Sequence, residues 1–298
     1  MRIGVTSDLH YGMSPKINRA IHRFIEETLA PAELDLLVIA GDVAESQALP
    51  ASRIGSRHAE VLERIRDAVA APLAFCAGNH DIWSTDPDID SWHIYRDRLA
   101  RVAGQAGVTY LETDNLSLPE LTVVGCYGHF DFSLRIPDLV IAGTTVSMAH
   151  YQRQTPPGHE EPVWMDGQRI HWDLSDEEAC ARICRLAGRR MEPAITRGKP
   201  VLFVSHTVPR QEVNGHFESN DAVSLFLNAF SGTSRLEGIV RMAADHGVPV
   251  TAVSGHTHRR VPMQTLDGVR YLNAGGEYAH PHLEILNWTT ANTLRMDS

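Results

Sequence analysis

The 298-residue sequence predicts an α/β fold in which a sheet, largely parallel at its centre, is covered by helices on both faces. Two observations predict it. DLLVIAGD (35–42), PLAFCAGNHD (72–81), KPVLFVSHT (199–207) and PVTAVSGHTH (249–258) each carry a near-continuous apolar run, as strands buried on both faces do. Between the early runs lie segments with apolar residues at helical spacing, giving a β-α-β-α-β rhythm. In such sheets ligands bind beyond the carboxyl ends of the strands, where each of these runs ends in a polar cluster.

Residues 2–6 read as the first strand. A helix follows near 16–30, with Ile17, Ala20, Ile21, Phe24 and Leu29 on one stripe. The next helix, 57–70, carries Val61, Leu62, Ile65, Ala68 and Val69 on one face. A helix near 91–104 and a strand near 108–112 come after the third run. The stretch 113–126 reads as a hairpin turning at Pro119-Glu120. Residues 127–198 break the rhythm with Trp164, Trp172, several prolines and a helix near 176–191; they read as an insertion capping a single domain of 1–298. The rhythm resumes with helices near 220–229 and 234–246. Two short strands, 260–265 and 269–272, flank Asp267-Gly268, a hairpin signal, and LEILNW closes the chain.

Composition bounds the function. Apolar residues make up 43% and charged residues 21%, as in soluble globular proteins. A net charge of −10 argues against binding nucleic acid through a broad basic surface. Cys76, Cys126, Cys180 and Cys184 form no CxxC pair and read as buried apolar side chains. The N-terminus lacks a signal-peptide core, and no apolar run reaches the ~18 residues of a membrane span. The expectation is a reduced, soluble, cytoplasmic protein.

Five strand ends carry five clusters: Asp8 and His10 in SDLH, Asp42 in AGD, Asn79 and His80 in GNHD, His206 in VSH, and His256 and His258 in GHTH. Asp, Asn and His ligate borderline divalent metals. Residues two apart on a strand face one side, so Asp8 with His10, and His256 with His258, are each expected to present two donors to one region. Gly41, Gly78 and Gly255 are expected to let the backbone turn tightly away from each strand.

Asp-x-His, Gly-Asp-x-x-Glu, Gly-Asn-His-Asp, His and Gly-His-x-His, in that order over residues 6–258, resemble the calcineurin-like metallophosphoesterases. The resemblance implies two stacked sheets flanked by helices in four layers, with two transition-metal ions (Mn, Fe, Zn or Co) at the strand ends. It implies Asp8, His10 and His258 on the first ion, Asn79, His206 and His256 on the second, and Asp42 bridging. It implies phosphoester hydrolysis by a metal-bridging hydroxide, with His80 facing the substrate and oriented by a carboxylate at Glu45. Two +2 ions about 3.5–4 Å apart repel by roughly 18 kcal/mol at an effective dielectric of about 20; Asp8, Asp42 and the hydroxide would offset this. His80 suits a general acid because its pKa lies near neutrality.

One departure bears on the substrate. Protein serine/threonine phosphatases of the superfamily continue the second motif with arginine and glycine, whereas this chain has Ser46 and Gln47. The pattern therefore looks more like the phosphodiesterase branch, with a small, nucleotide-type phosphodiester as the expected substrate. A phosphomonoesterase is the alternative; a nuclease and a catalytically silent scaffold rank below it. A nucleic-acid or membrane partner is not expected. Tyr127, His129 and Phe130 come after a strand and are candidates to touch the substrate, with Arg153, Trp164, Arg169 and Trp172 as candidate pocket residues. Asn273, Gly275 and Gly276 are expected to shape a loop near the metals.

Overall fold

In chain order the strands are β1 (Arg2–Thr6), β2 (Leu36–Ala40), β3 (Leu73–Cys76), β4 (Thr109–Tyr110), β5 (Leu116–Ser117), β6 (Thr122–Cys126), β7 (Val140–Ile141), β8 (Thr144–Thr145), β9 (Val201–Ser205), β10 (Val250–Ser254), β11 (Val261–Leu266), β12 (Val269–Asn273) and β13 (Glu284–Asn287). This is a computed structural model describing residues 1–215 and 221–288. One sheet has the order β13-β1-β2-β3-β4 and the other β11-β12-β10-β9-β6-β5; β7 and β8 pair separately. β1 to β4 are parallel, as are β12, β10, β9 and β6, while β13, β11 and β5 join as antiparallel edges.

The two faces of each strand explain the unbroken apolar runs. Leu36, Val38 and Ala40 point into the core between the sheets, with Ile3, Val5, Ala74, Cys76, Leu202 and Val204. The alternate residues Leu37, Ile39 and Phe75 belong to the cluster that includes the flanking helices. Those helices start where their caps say. Ser14 accepts from Ile17 N at the head of Pro15–Phe24, with Pro15 at the first position. Ser175 and Glu178 form a capping box at the head of Asp176–Thr196.

That long helix packs on β6 and on Ser234–Asp245, burying Cys180, Ile183, Ala187 and Met191. It is thus part of the outer helical layer, and the departure from the fold's rhythm is confined to residues before it. The segment 127–175 holds β7, β8 and short helices, and its Phe130, Phe132 and Tyr151 share an aromatic cluster with Phe226 and Phe230. Tyr151 stacks on Phe226 at 4.8 Å and Trp164 on Phe230 at 5.5 Å. The four cysteines are free and buried, and no helix among the described residues is long and apolar enough to cross a membrane.

Candidate metal centre

The carboxyl ends of the parallel strands meet at one edge, and the five clusters lie there, though not by strand alternation. β1 ends at Thr6 and β10 at Ser254, before the paired ligand candidates begin. Asp8, His10, Asp42, His256 and His258 all have left-handed φ, 56°, 48°, 52°, 72° and 53°. Each such residue costs roughly 1 kcal/mol or more, so the surroundings must hold it. Asp8 N donates to Gly41 O (3.1 Å), His10 N to Asp42 O (2.9 Å) and Glu45 N to Tyr11 O (2.9 Å), continuing the contact of β1 with β2 past the strands. Of the three glycines, only Gly41 turns through positive φ (82°). Gly255 instead permits a close approach, because a Cβ there would lie 2.6 Å from Ser7 Cβ.

The side chains converge acceptor against acceptor. His206 Nδ1 donates to Ala40 O (2.9 Å) and His256 Nε2 to Phe230 O (3.2 Å), so a carbonyl fixes the outer N–H of each ring. Their inner nitrogens, His206 Nε2 and His256 Nδ1, face each other at 3.0 Å. His10 Nδ1 is bound by Glu45 Oε1 (3.0 Å), and its Nε2 lies 3.3 Å from His258 Nε2. Asp42 Oδ2 sits between the groups, 3.5 Å from His10 Nε2 and 3.3 Å from His206 Nε2. Asn79 Oδ1 is 3.1 Å from His206 Nε2, and Asp8 Oδ1 is 3.8 Å from His258 Nε2. Lone pairs held at such distances need a proton or a cation between them. Asp8, His10 and His258 form one set of potential ligands; Asp8, Asp42 and His206 form another.

The protonation pattern agrees. Burial alone would lower the pKa of His206, but Asp42 and Asp8 outweigh it and raise it to about 9. Burial and the neighbouring His206 charge push His256 well below 6.5. Burial alone would raise Asp42, yet the His206, His80 and His10 charges hold it well below the usual carboxylate range. The donor set of nitrogen and carboxylate oxygen suits Mn, Fe, Zn or Co.

Comparison with known proteins gives the family. The family profile described as calcineurin-like phosphoesterase matches residues 1–260. The chain belongs to the calcineurin-like phosphoesterases. Among solved structures, a phosphopantetheinyl hydrolase from Mycobacterium tuberculosis is similar at 20% identity and a TM-score of 0.68, over 93% of this chain and 89% of that one. A dimetal phosphatase from Danio rerio is similar at 13% identity and a TM-score of 0.49, over 94% of this chain and 88% of that one. No curated protein sequence matches the chain. The first likeness shows the same fold of two mixed sheets flanked by helices, and the family makes the chain a metal-dependent phosphoesterase.

Around the cluster, Glu45 Oε1 accepts from both His10 Nδ1 (3.0 Å) and His80 Nδ1 (2.6 Å). Burial opposes the charge on Glu45, but those hydrogen bonds keep its pKa below the usual value. For His80, burial is outweighed by Asp42 and then Glu45, which raise it to about 9. Asp81 is structural: Oδ1 accepts from Ala44 N and His58 Nε2, both at 2.8 Å, and Oδ2 from Gly78 N.

A cavity of about 530 Å³ opens on Asp42, Asn79, His80, His256 and His258, with Met13, Trp83, Trp164, Met165, Leu227 and Tyr278 among its walls. Tyr127, His129 and Phe130 are not there. All three are fully buried. Tyr127 lies behind His206 (6.0 Å between rings), His129 is tied to Asp176 (2.9 Å), and Phe130 packs on Phe230. The chain turns inward after β6, through Gly128 (φ 92°) and His129 (φ 60°), so their place after a strand did not bring them to the cavity. Arg153 is exposed and Arg169 partly so. Trp172 lines a separate cavity with Trp92 and Arg182.

Three site residues carried no motif. Trp83 stacks on His80 at 3.7 Å, the Tyr278 ring lies tilted against His258 at 4.4 Å, and Asp166 binds Asn79. Gly276 N donates to Asp8 Oδ2 (3.3 Å), so the loop after β12 touches the centre, as expected of LNAGGEY.

Proposed function

We propose that this phosphoesterase is a dinuclear-metal phosphodiesterase acting on a small phosphodiester with an apolar or aromatic arm. Asp8, His10 and His258 would hold one ion, Asn79, His206 and His256 the other, and Asp42 both. Such ions, when bound, neutralise phosphoryl charge and activate water. His80 would donate a proton to the leaving oxygen, a role supported by its place in the cavity lining and by the Nδ1 hydrogen bond to Glu45.

The observation that carries the diester reading is the cavity wall. Beside the ligand candidates its described lining is mostly apolar and aromatic, with the hydroxyls of Ser231 and Thr257, and includes no lysine or arginine. A diester brings one negative charge and two organic arms, one of which an apolar wall can cover. A monoester dianion has only one arm and more charge to balance.

The test strips the metals and reloads the protein with Mn, Fe, Zn or Co singly. Bis(p-nitrophenyl) phosphate is then compared with p-nitrophenyl phosphate. The diester should be hydrolysed faster; a much faster monoester reaction would reject the proposal. The name of the mycobacterial structure makes a phosphopantetheinyl ester a fitting member of a wider substrate panel.

A further inference from the structure

We infer that Asp166, supplied by the inserted segment, is a positioning residue that fixes the side-chain amide of Asn79 with its oxygen toward the metal centre. The inference rests on reading Asn79 as a metal ligand. Asp166 opens the short helix Asp166–Arg169 and is 1% exposed. Its Oδ1 accepts from Asn79 Nδ2 at 2.9 Å and from Trp83 Nε1 at 2.7 Å. Asn79 Oδ1 is thereby left facing His206 Nε2 at 3.1 Å.

An asparagine amide is nearly symmetric in shape, so packing alone distinguishes its oxygen from its nitrogen poorly. The partners decide. A carboxylate only accepts, so a flipped Asn79 would set oxygen against oxygen at Asp166. It would also turn an NH₂ group toward the cations, removing one ligand. Burial raises the Asp166 pKa above the usual carboxylate value against the lowering by His129, Asn79 and Trp83, and Oδ1, which takes both hydrogen bonds, accepts in either protonation state.

The same oxygen holds Trp83, whose ring stacks on His80. Asp166 therefore links the insertion to a metal ligand and to the wall beside the proton donor. Gln154, also in the insertion, braces this helix by accepting from Gly167 N at 2.8 Å. Partners that orient metal ligands typically affect affinity by about 10- to 100-fold.

The test titrates the stripped full chain with Mn²⁺ alone, by calorimetry, as wild type, Asp166→Ala, Asp166→Asn, Asn79→Ala and the double variant Asn79→Ala with Asp166→Ala. Asp166→Ala should weaken one of the two binding events by about 10- to 100-fold and leave the other within about threefold. In the Asn79→Ala background it should add nothing. Asp166→Asn, which keeps the shape and one acceptor oxygen, should weaken the same event by about tenfold and serves if the alanine variant does not fold. Wild-type affinity in a folded Asp166 variant, or losses at Asp166 and Asn79 that multiply, would overturn the inference. Failure of the wild type to bind two ions would instead overturn the dinuclear reading beneath it.

Discussion

Replacing Glu45 with glutamine should, at saturating metal, report on proton donation by His80. Glu45 Oε1 holds His80 Nδ1 at 2.6 Å and His10 Nδ1 at 3.0 Å, and its other oxygen accepts from Gln47 Nε2 at 3.2 Å. Glutamine keeps the volume and one acceptor, but not the charge. A hydrogen bond to a charged group contributes about 1.5–3 kcal/mol, equivalent to roughly one to two pH units at 1.36 kcal/mol each. That is part of what raises His80 from 6.5 to about 9, since Asp42 contributes beside Glu45. Bound cations would lower the starting value, but losing the carboxylate still moves it down. The alkaline limb of the pH–kcat profile should therefore shift to lower pH by about one to two units.

At saturating metal, the loss should grow with the basicity of the leaving group. An alkoxide needs the proton from His80, and its diester should slow by about 10- to 100-fold. p-Nitrophenolate leaves without help and should show a much smaller change. Initial rates on aryl and alkyl diesters over pH 5–10 measure both effects. An unmoved alkaline limb, or equal losses for both leaving groups, would refute His80 as the acid that Glu45 supports.

The same edge governs metal loading and stability. His206 must lose its proton to ligate, and its pKa without metal is raised from 6.5 to about 9. Apparent metal affinity should therefore climb with pH, by up to about tenfold per unit, and level off above about 9; competitive chelator titration measures it. Because His80 and His206 are both raised in the fold, their contribution to the stability of the metal-free protein should be fully present below about pH 6.5 and lost as pH rises through about 9, while His256 and His258, both lowered chiefly by burial, act against stability below about 6.5. Thermal melts without metal check the sign. Gly41→Ala should abolish metal loading at once, because its Cβ would lie 2.4 Å from His206 Nδ1 on a backbone with φ 82°; full metal content by elemental analysis of a folded variant would contradict this.

The strand ends were legible because burial on both faces forces apolar residues on every position, which makes the first polar residue beyond each strand conspicuous. Asp42 after Leu36–Ala40 and His206 after Val201–Ser205 are such residues. The route to convergence was not legible. Spacing of two suggested strand alternation for Asp8 and His10, but both take left-handed conformations that only their surroundings can hold. Asp166 and Trp83 were invisible for a different reason. Asp166 lies 87 residues from Asn79 in sequence, and its neighbours Met165 and Gly167 repeat no motif. Tyr278 comes after AGGE, where only the glycines attracted notice. Conversely, Tyr127, His129 and Phe130 had the right sequence neighbourhood, but the chain beyond β6 turns inward, with Tyr127 beside His206, His129 bound to Asp176 and Phe130 on Phe230.

Each prospective ion would take ligands from both sheets. Asp8 and His10 follow β1 while His258 follows β10; Asn79 follows β3 while His206 and His256 follow β9 and β10; Asp42, after β2, lies between. If two ions bind as proposed, their spacing would depend on how closely the sheets pack at this edge. Side chains between them, Val5, Val38, Cys76, Val204 and Val253, are small or of medium size. Gly41 and Gly255 remove the Cβ atoms that would strike His206 and Ser7 on the opposite sheet's loops. Core packing and metal geometry are thus one quantity here. A larger side chain in the last layer between the sheets would separate Asp42 from His206 before it disturbed either sheet, because close-packed interiors transmit strain instead of absorbing it. Were Asp42 to hold both proposed ions, the site would tolerate little of that movement.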